Sequence, residues 1–587
     1  MASIAVGYPT SNIVLPGSCQ LQSASLPKDN LTNGPSGQTV NEHMSPLTIV
    51  AEWITKFNKL CNGNDETVEA LFLKESYWRD LLCTSWDFRT VQGTDRISKF
   101  VGQPSKTAGV TKVDLFESPA HKVPQYGTIE DIEVVQAYLG LETLNGTGQG
   151  YVRLMRDTID NGKWKAFTLF TYLESLGVHP EKAGTRRPTG HERDPNNERL
   201  SWKERRKVEQ NFEDNREPIV LILGAGQGGL TLAARLKQLG VETLMIDKIA
   251  RVGDNWRKRY HELVLHDSIC FNHMPYLPFP QNWPRFIPKD KLADWFEYYA
   301  GIMELNIWTG AELEASKWDE DSRKWTVTIR IGEEMGIEHR TLHPKHIILV
   351  SGVAGEPHLP SNIPGLDSFQ GTRLIHSSQF DGPEPNGSGK RAIIIGSSNS
   401  AHDIARDYYE HGYQTTMVQR SSTYVVTSDT LVDVMLKGLY EDDGIHPIED
   451  ADVMNFSIPH PVMKRLEVGR TAEMVRRDQR LLKGLTDAGF AVDSGLEGSD
   501  LWIKYLSCGG RYYIDVGCSQ LITDKKIAVK QGVEVTVVGP HAIVLSDGSR
   551  LEADEMVFAT GYGNMRENAR KIFRDQLADR VGDVWGV

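Results

Sequence analysis

Cysteine is scarce in this sequence, and none of it is paired by spacing. The six cysteines among 587 residues (Cys19, Cys61, Cys83, Cys270, Cys508 and Cys518) form no CxxC and no zinc-ligand pattern. That excludes a disulfide-built fold and a dithiol redox centre, and it points to a reducing compartment. Basic charge is the lesser sign, with 65 Lys and Arg against 78 Asp and Glu and a net charge of −13. A nucleic-acid surface or an anionic membrane is therefore not expected as the main partner. Long apolar runs are missing too, so no membrane span is expected. The first lysine is Lys28, and the N-terminus lacks the basic-then-apolar order of a secretory signal. The expected location is cytoplasmic. Metal is not expected either: in His261-Glu262-Leu-Val-Leu-His266 the histidines lie five apart, about 140° around a helix, which is not the HExxH spacing.

What is present is an ordinary globular composition, 40% hydrophobic and 24% charged, long enough for about three or four domains. Its organising stretch is Pro218-Ile-Val-Leu-Ile-Leu-Gly224-Ala225-Gly226-Gln-Gly228-Gly229-Leu230. Branched apolar residues, then glycines, then helical spacing predict a buried strand, a tight turn and a helix. Gly224 suits the turn, Gly226 a close approach of backbone to a pyrophosphate, and Gly229 close helix–strand packing. The helix N-terminus offers N–H groups and a positive dipole end to phosphate. A second strand, Glu242-Thr-Leu-Met-Ile-Asp247, closes on an acid 23 residues after Gly224, where it can accept hydrogen bonds from ribose hydroxyls. A second unit follows at Arg391-Ala-Ile-Ile-Ile-Gly396-Ser397-Ser398-Asn399-Ser400-Ala401, with small residues where stricter fingerprints have glycine. Its companion strand ends at Gln419-Arg420-Ser421, so an arginine stands 24 residues after Gly396. Arginine in place of the acid supplies a fork for a 2′-phosphate. The first unit therefore reads as an FAD or NAD site and the second as an NADPH site. The Gly396-Ser-Ser398-Asn-Ser400 run is not a hydrolase elbow, because its fifth position is serine and no HGG-type oxyanion loop accompanies it.

Along the rest of the chain, residues 1–45 are rich in Ser, Asn, Gly, Pro and Gln and are expected to be disordered. Residues 46–178 begin with helical spacing and continue with alternating segments such as Trp164-Lys-Ala-Phe-Thr-Leu-Phe, which predicts a small α+β domain. Residues 179–216 are charged and proline-containing and read as a solvated linker. Glu312–Trp318 and Trp325–Ile331 predict a hairpin.

Two resemblances follow. The order of elements in 46–178, with Trp78-Arg79-Asp80-Leu-Leu and Trp164-Lys-Ala-Phe-Thr, resembles the cone-shaped nuclear-transport-factor/SnoaL-like domain. That implies inward polar groups at Arg79, Asp80 and Asp87, read here as a buried Arg–Asp pair that braces a docking domain. The two glycine loops, Gly253-Asp-Asn255-Trp256-Arg-Lys-Arg259-Tyr260 and Phe558-Ala-Thr560-Gly561-Tyr562 together resemble class B flavin-dependent monooxygenases. Within that class the resemblance is to the flavin-containing and plant auxin-synthesis members, in a fungal type with an N-terminal extension that implies secondary metabolism. The fold class implied is α/β, two dinucleotide-binding Rossmann-like domains behind a small α+β domain. FAD would be bound by 217–385, completed by 550–587, and NADPH by 386–549.

The resemblance assigns FAD to Gly224, Ala225, Gly226, Gly228, Gly229, Asp247, Lys248 and Asn255, with Trp256, Arg259, Leu265 and His266 lining its ring. It assigns NADPH to Gly396, Ser397, Ser398, Asn399, Ser400, Arg420 and Ser421, and the domain crossing to Thr560, Gly561 and Tyr562. Asn399 and Arg259 are the catalytic candidates. The family fingerprint FxGxxxHxxx(F/Y/W) is met by Phe369-Gln-Gly371-Thr-Arg-Leu-Ile-His376-Ser-Ser-Gln-Phe380 with one extra residue before His376. The activity implied is insertion of one oxygen atom from O₂ into a small organic substrate through a flavin C4a-(hydro)peroxide, as N- or S-oxygenation. The alternatives are Baeyer–Villiger or 2-oxo-acid decarboxylative oxygenation, or, in another class, a flavin-poor NADPH-binding or interaction protein. A homodimer is compatible with each. Only 25 residues follow Tyr562, without the glycine-plus-apolar segment that the resemblance leads one to expect. An incomplete FAD domain with an exposed groove and weak flavin retention is the expectation.

Overall fold

The computed structural model describes residues 24, 44–102, 108–190, 200–213, 216–332, 336–352, 355–441, 444, 446–499 and 501–582. The expected disordered tail lies outside these apart from Ala24, Met44 and Ser45. The chain divides into two compact units.

Among the described residues, the first unit combines those from 24 to 181 with those of 437–469. Its strands are β1 (Phe72–Leu81), β2 (Phe88–Gln92), β3 (Val110–Leu115), β4 (Gln125–Ile129), β5 (Ile132–Thr143), β6 (Gly146–Asp157) and β7 (Lys163–Leu176). They form one sheet in the order β2-β1-β7-β6-β5-β3, with β4 also on β5. The helix Pro46–Cys61 starts at Ser45, whose hydroxyl accepts from the Thr48 N–H at 3.1 Å, and carries proline in its first turn. It buries Ile49, Val50, Trp53, Ile54 and Phe57 against Trp78, Val135, Ala137, Leu139, Val152 and Leu169 of one sheet face. The other face, with Tyr138, Tyr151 and Phe170, packs on Val453 and Met454. Arg153 reaches the same segment, donating to the Ser457 hydroxyl at 2.8 Å and the Met454 carbonyl at 3.2 Å. Residues 437–469, read in the sequence as part of an NADPH domain, thus belong to this unit, because they cover aromatic residues that β5, β6 and β7 would otherwise expose to water.

Asp80 does face the helix side of the sheet, but not as half of an Arg–Asp pair. It accepts from the Thr171 hydroxyl at 2.5 Å and the Thr84 N–H at 2.9 Å, and burial pushes its carboxyl up to about 6. Consecutive strand residues point to opposite faces, so Arg79 projects to the other side, where its charge lowers the His460 pKa after burial has done so first. Asp87 pairs with Arg89 at 3.0 Å.

The second unit holds 182–436 and the residues from 470 onward. The segment read as a linker contributes the helix Trp202–Asn211, whose capping box joins Ser201 and Glu204. Phe212 follows, buried in the cluster with Trp308, and the Trp308 indole donates to the Gln210 carbonyl at 3.1 Å. The linker therefore ends in a built element.

Strands β8 (Val220–Leu223), β9 (Thr243–Asp247), β10 (Ile307–Thr309), β11 (Ala311–Asp319), β12 (Lys324–Ile331), β13 (Glu338–Leu342) and β14 (His346–Leu349) make two sheets. One is β10-β9-β8-β14, all parallel. The other is antiparallel, β11-β12-β13, the predicted hairpin plus a third strand.

Next come β15 (Arg373–His376), β16 (Arg391–Ile395), β17 (Gln414–Gln419), β18 (Thr423–Thr427), β19 (Val492–Asp493), β20 (Tyr512–Asp515), β21 (Ala528–Gln531), β22 (Val535–Gly539), β23 (Ala542–Leu545), β24 (Arg550–Glu552) and β25 (Glu555–Phe558). They give a five-stranded sheet β15-β25-β16-β17-β21, parallel throughout, and two three-stranded sheets, β19-β18-β20 and β22-β23-β24. Here the structure departs from the sequence boundaries. β15 and β25, read as parts of the FAD domain, lie in the second parallel sheet, with β25 between β15 and β16. The reason lies in β25, whose four residues are all buried and so need a strand on each side.

Candidate functional site

The first glycine loop joins β8 to the helix Gln227–Gln238. Gly224 turns at φ +120°, and a Cβ there would stand 2.3 Å from the Val350 carbonyl oxygen. A Cβ on Gly229 would lie 2.0 Å from the Gly224 carbonyl oxygen, and one on Gly228 2.8 Å from the Val350 side chain. Gly226 differs: a Cβ there meets only the Asn255 carboxamide nitrogen, at 3.5 Å. Three glycines are thus demanded by the fold itself, while Gly226 leaves open space in front of the helix N-terminus. Asp247, at the end of β9, accepts from the Ala225 N–H at 2.7 Å with one oxygen and the Ile249 N–H at 3.1 Å with the other. A carboxylate offers about four lone-pair sites, so capacity for ribose hydroxyls remains. Lys248 follows it, exposed.

The short helix Asp254–Arg257 begins at Gly253, where φ is +91° and a Cβ would strike the Ala293 carbonyl oxygen at 2.3 Å. That helix brings Asn255 to the first cradle and leads to Trp256, Arg259 and Tyr260. The Trp256 indole nitrogen and the Arg259 Nε are buried with no hydrogen-bond partner among the described residues. Unpaired buried donors are costly, and beside an open glycine cradle they fit an acceptor-rich anionic group. A flavin dinucleotide is such a group, so the residues present fit it. Leu265 donates its N–H to the Ile287 carbonyl at 2.9 Å, and the His266 ring stands 6.2 Å from the ring of Tyr512.

The second loop joins β16 to the helix Asn399–Glu410, with Ser398 as N-cap. Gly396 has φ +134°, and a Cβ there would meet the Ala559 carbonyl oxygen at 2.4 Å. Ala401 is fully buried where the first loop has glycine. Ser397 bonds the Thr423 hydroxyl at 2.8 Å. The Asn399 carboxamide oxygen accepts from the Ile514 N–H at 2.9 Å, so this catalytic candidate ties the loop to β20. Ser400 lies one residue on, within reach of the Tyr260 hydroxyl. Arg420 follows the last residue of β17 with its side chain 68% exposed and a 3.7 Å approach to Glu534, and Ser421 beside it is exposed. That guanidinium is available to a phosphate.

Between the loops runs the crossing. Ala559 donates to the Ile395 carbonyl at 2.8 Å as the chain leaves β25. Thr560 bonds through its hydroxyl to the His358 carbonyl, the His358 N–H donates to the Gly561 carbonyl at 3.0 Å, and Pro357 and Tyr562 form an antiparallel bridge. The one-residue insertion before His376 does not displace it from this junction. His376 closes β15 opposite Phe558. Its Nε2–H donates to the Gly561 carbonyl at 2.8 Å, and its Nδ1 accepts from the Ser378 N–H at 3.1 Å. Burial, then the charge of Arg259, lowers its pKa and keeps it neutral. Phe380, the fingerprint's terminal aromatic, is a core residue 5.2 Å from the Tyr408 ring.

Sequence reasoning missed Asp403, whose carboxylate accepts from the Tyr260 hydroxyl at 2.6 Å. A signal was present: Asp403 stands one helical turn after Asn399 and Ser400. A groove of about 1360 Å³ also runs along β14, lined by Val220, Trp318, Trp325, Ile347 and Phe573. Among the described residues no group of His, Cys, Asp and Glu could hold a metal, and no helix is long and apolar enough to cross a membrane.

Comparison with known proteins bears on these loops. Residues 218–471 match the model of the pyridine nucleotide-disulphide oxidoreductase family, although the chain lacks a CxxC. Indole-3-pyruvate monooxygenase YUCCA1 of Oryza sativa subsp. japonica is 27% identical over 360 residues, 61% of this chain and 79% of that protein. Probable indole-3-pyruvate monooxygenase YUCCA7 of Arabidopsis thaliana is 27% identical over 366 residues, 62% and 77% of the two chains. Among solved structures, oxidized steroid monooxygenase bound to NADP aligns with a TM-score of 0.47 at 17% identity over 60% of this chain and 73% of that one. Epsilon-caprolactone-bound cyclohexanone monooxygenase aligns at 0.45 and 17%, over 60% and 75%. With two glycine loops built on parallel sheets and monooxygenases as its relatives by sequence, the chain is a flavin-dependent oxidoreductase.

Proposed function

We propose that this chain is an FAD- and NADPH-dependent monooxygenase that inserts one atom of O₂ into a small organic substrate, by N- or S-oxygenation. One observation carries the reading: a single folded unit holds two glycine cradles, one closed by Asp247 and the other by the exposed Arg420. The acid suits the free ribose hydroxyls of FAD, and the arginine suits the 2′-phosphate of NADPH. Bound together, the two cofactors supply two electrons and an activated oxygen.

The residues supply placement and shelter. Gly226 admits the FAD pyrophosphate to the N-terminus of the helix Gln227–Gln238. Trp256 and Arg259 hold buried donors for the flavin, and Asn255 and His266 flank them. Ser397, Ser398 and Ser400 surround the NADPH phosphates, while Asn399 holds the loop on β20. Neutral His376 pins Gly561, which fixes the crossing between the two halves. Tyr260, Leu263, Phe380 and Tyr408 belong to one buried cluster beneath both loops, and such packing keeps water from the reacting atoms. The FAD half is proposed to centre on the β8 sheet and the NADPH half on the β16 sheet. Residues 46–178 are proposed to form a SnoaL-like docking domain, and the protein is proposed to work in the cytoplasm.

A second reading, oxygenation of a 2-oxo acid with loss of CO₂, is favoured by the relatives named indole-3-pyruvate monooxygenases. The test is NADPH consumption under air with amines, thioethers, ketones and 2-oxo acids, with H₂O₂ measured in parallel. The expected result is that one amine or thioether raises NADPH turnover while the H₂O₂ yield falls and an oxygenated product appears. CO₂ release with a 2-oxo acid would select the second reading. Turnover to H₂O₂ alone with every class would contradict both.

A further inference from the structure

A polar link that no cofactor assignment requires joins the flavin-side loop to the helix of the second loop, through the Tyr260 hydroxyl to Asp403, with Ser400 also in reach. Tyr260 is 5% exposed and lies at the end of the flavin-side loop that carries Trp256 and Arg259. Its hydroxyl donates to the Asp403 carboxylate at 2.6 Å. Burial, and then Asp403 itself, keep this phenol protonated, with its pKa well above the usual tyrosine value, so the direction of the bond is fixed. Asp403 belongs to the helix Asn399–Glu410, one turn beyond Asn399 and Ser400, the residues that open toward NADPH. Burial pushes its carboxyl up, while Tyr260, His266 and Arg406 hold it down and Asp515 adds a further upward push. Tyr260 and Leu263 share one buried cluster with Phe380, Ala401, Ile404 and Ala405, so apolar packing holds loop and helix together. The hydrogen bond adds direction: with the Asn399–Ile514 bond on the β20 side, the Tyr260–Asp403 bond on the flavin side sets the rotation of the helix's first turns about their axis.

We infer that Tyr260 and Asp403 are a positioning pair that holds the first turns of the NADPH-loop helix in register with the flavin-side loop. The inference rests on the reading of the two loops as FAD and NADPH sites. The step the pair would govern is hydride transfer from NADPH to FAD, which with one proton from solvent would give NADP⁺ and FADH₂. Neither side chain touches the reacting atoms. Their effect is on alignment, to which such transfers are steeply sensitive.

The experiment is anaerobic rapid mixing of the flavin-loaded full chain with NADPH, following loss of oxidised-flavin absorbance. Tyr260→Phe keeps the ring and removes only the hydroxyl. It is expected to slow flavin reduction about ten- to a hundredfold at saturating NADPH, with half-saturating NADPH changed by less than about threefold. Asp403→Ala should slow it comparably, Asp403→Asn, which keeps an acceptor oxygen, should recover part of the rate, and the double variant should be no slower than the worse single one. If Tyr260→Phe fails to retain flavin, the contrast between Asp403→Asn and Asp403→Ala decides alone. An unchanged reduction rate in the flavin-loaded variants, with only a lower melting temperature, would overturn the positioning role. A wild-type chain whose bound flavin NADPH does not reduce would instead overturn the cofactor reading and the positioning pair with it.

Discussion

Gly226→Val is expected to leave a folded protein without flavin. The four glycines of the first loop are not equivalent, and this substitution separates ligand from fold. A Cβ at position 226 meets nothing nearer than the Asn255 carboxamide nitrogen at 3.5 Å, so a side chain can leave the backbone there without a clash. Valine does not fit a pyrophosphate brought against the helix N-terminus, and the lost affinity should be roughly hundredfold or more, about 3 kcal/mol. The purified variant should be colourless, with a far-ultraviolet circular dichroism spectrum and melting temperature matching those of the wild-type apoprotein. Gly229→Ala is the control with the opposite outcome. Its Cβ would stand 2.0 Å from the Gly224 carbonyl oxygen, so helix and strand must separate, at a cost of about 1–3 kcal/mol, and the melting temperature should fall. Full flavin occupancy in Gly226→Val would mean that the first loop is not the FAD cradle.

Arg420→Ala should raise the KM for NADPH while leaving that for NADH nearly untouched. The guanidinium is 68% exposed and its nearest acid, Glu534, is 3.7 Å away. Little structure depends on it, and stability should not change. A charge-assisted contact to a 2′-phosphate is worth about 1.5–3 kcal/mol, or roughly ten- to a hundredfold in KM. Because NADH lacks that phosphate, steady-state oxidation of the two nucleotides side by side isolates the contact. Equal effects on both would place the arginine outside the site.

What could be read from residues alone was local. Gly224 and Gly229 announce their geometry because the turn at φ +120° and the close approach of Gly229 to the Gly224 carbonyl are made within the loop itself. Gly226 is legible only through the ligand it would admit, and the acid and the arginine that close the two loops lie one βαβ unit away. The paths of β15 and β25 were not legible. Both are strands of only four residues, and nothing in Glu555–Phe558 says which sheet receives it. The covering of the first unit's aromatic face by 437–469 was hidden for a similar reason, since Val453 and Met454 meet Tyr138 and Tyr151 across some 300 residues of sequence. The Arg79–Asp80 pairing failed on elementary strand geometry: adjacent residues face apart, and Asp80 found Thr171 on the neighbouring strand instead. Asn399 stood in the right loop, but its carboxamide is committed to β20, a partner 115 residues away along the chain. Tyr260 was visible as part of a motif, whereas its bond to Asp403 depends on how two loops meet.

The most direct test of the central claim is anaerobic titration of the purified, flavin-loaded chain with NADPH and, separately, NADH. If the Asp247 loop holds FAD and the Arg420 loop holds NADPH, one equivalent of NADPH should bleach the bound flavin, and NADH should do so only at much higher concentration. Bound flavin that stays oxidised under excess NADPH would contradict the account.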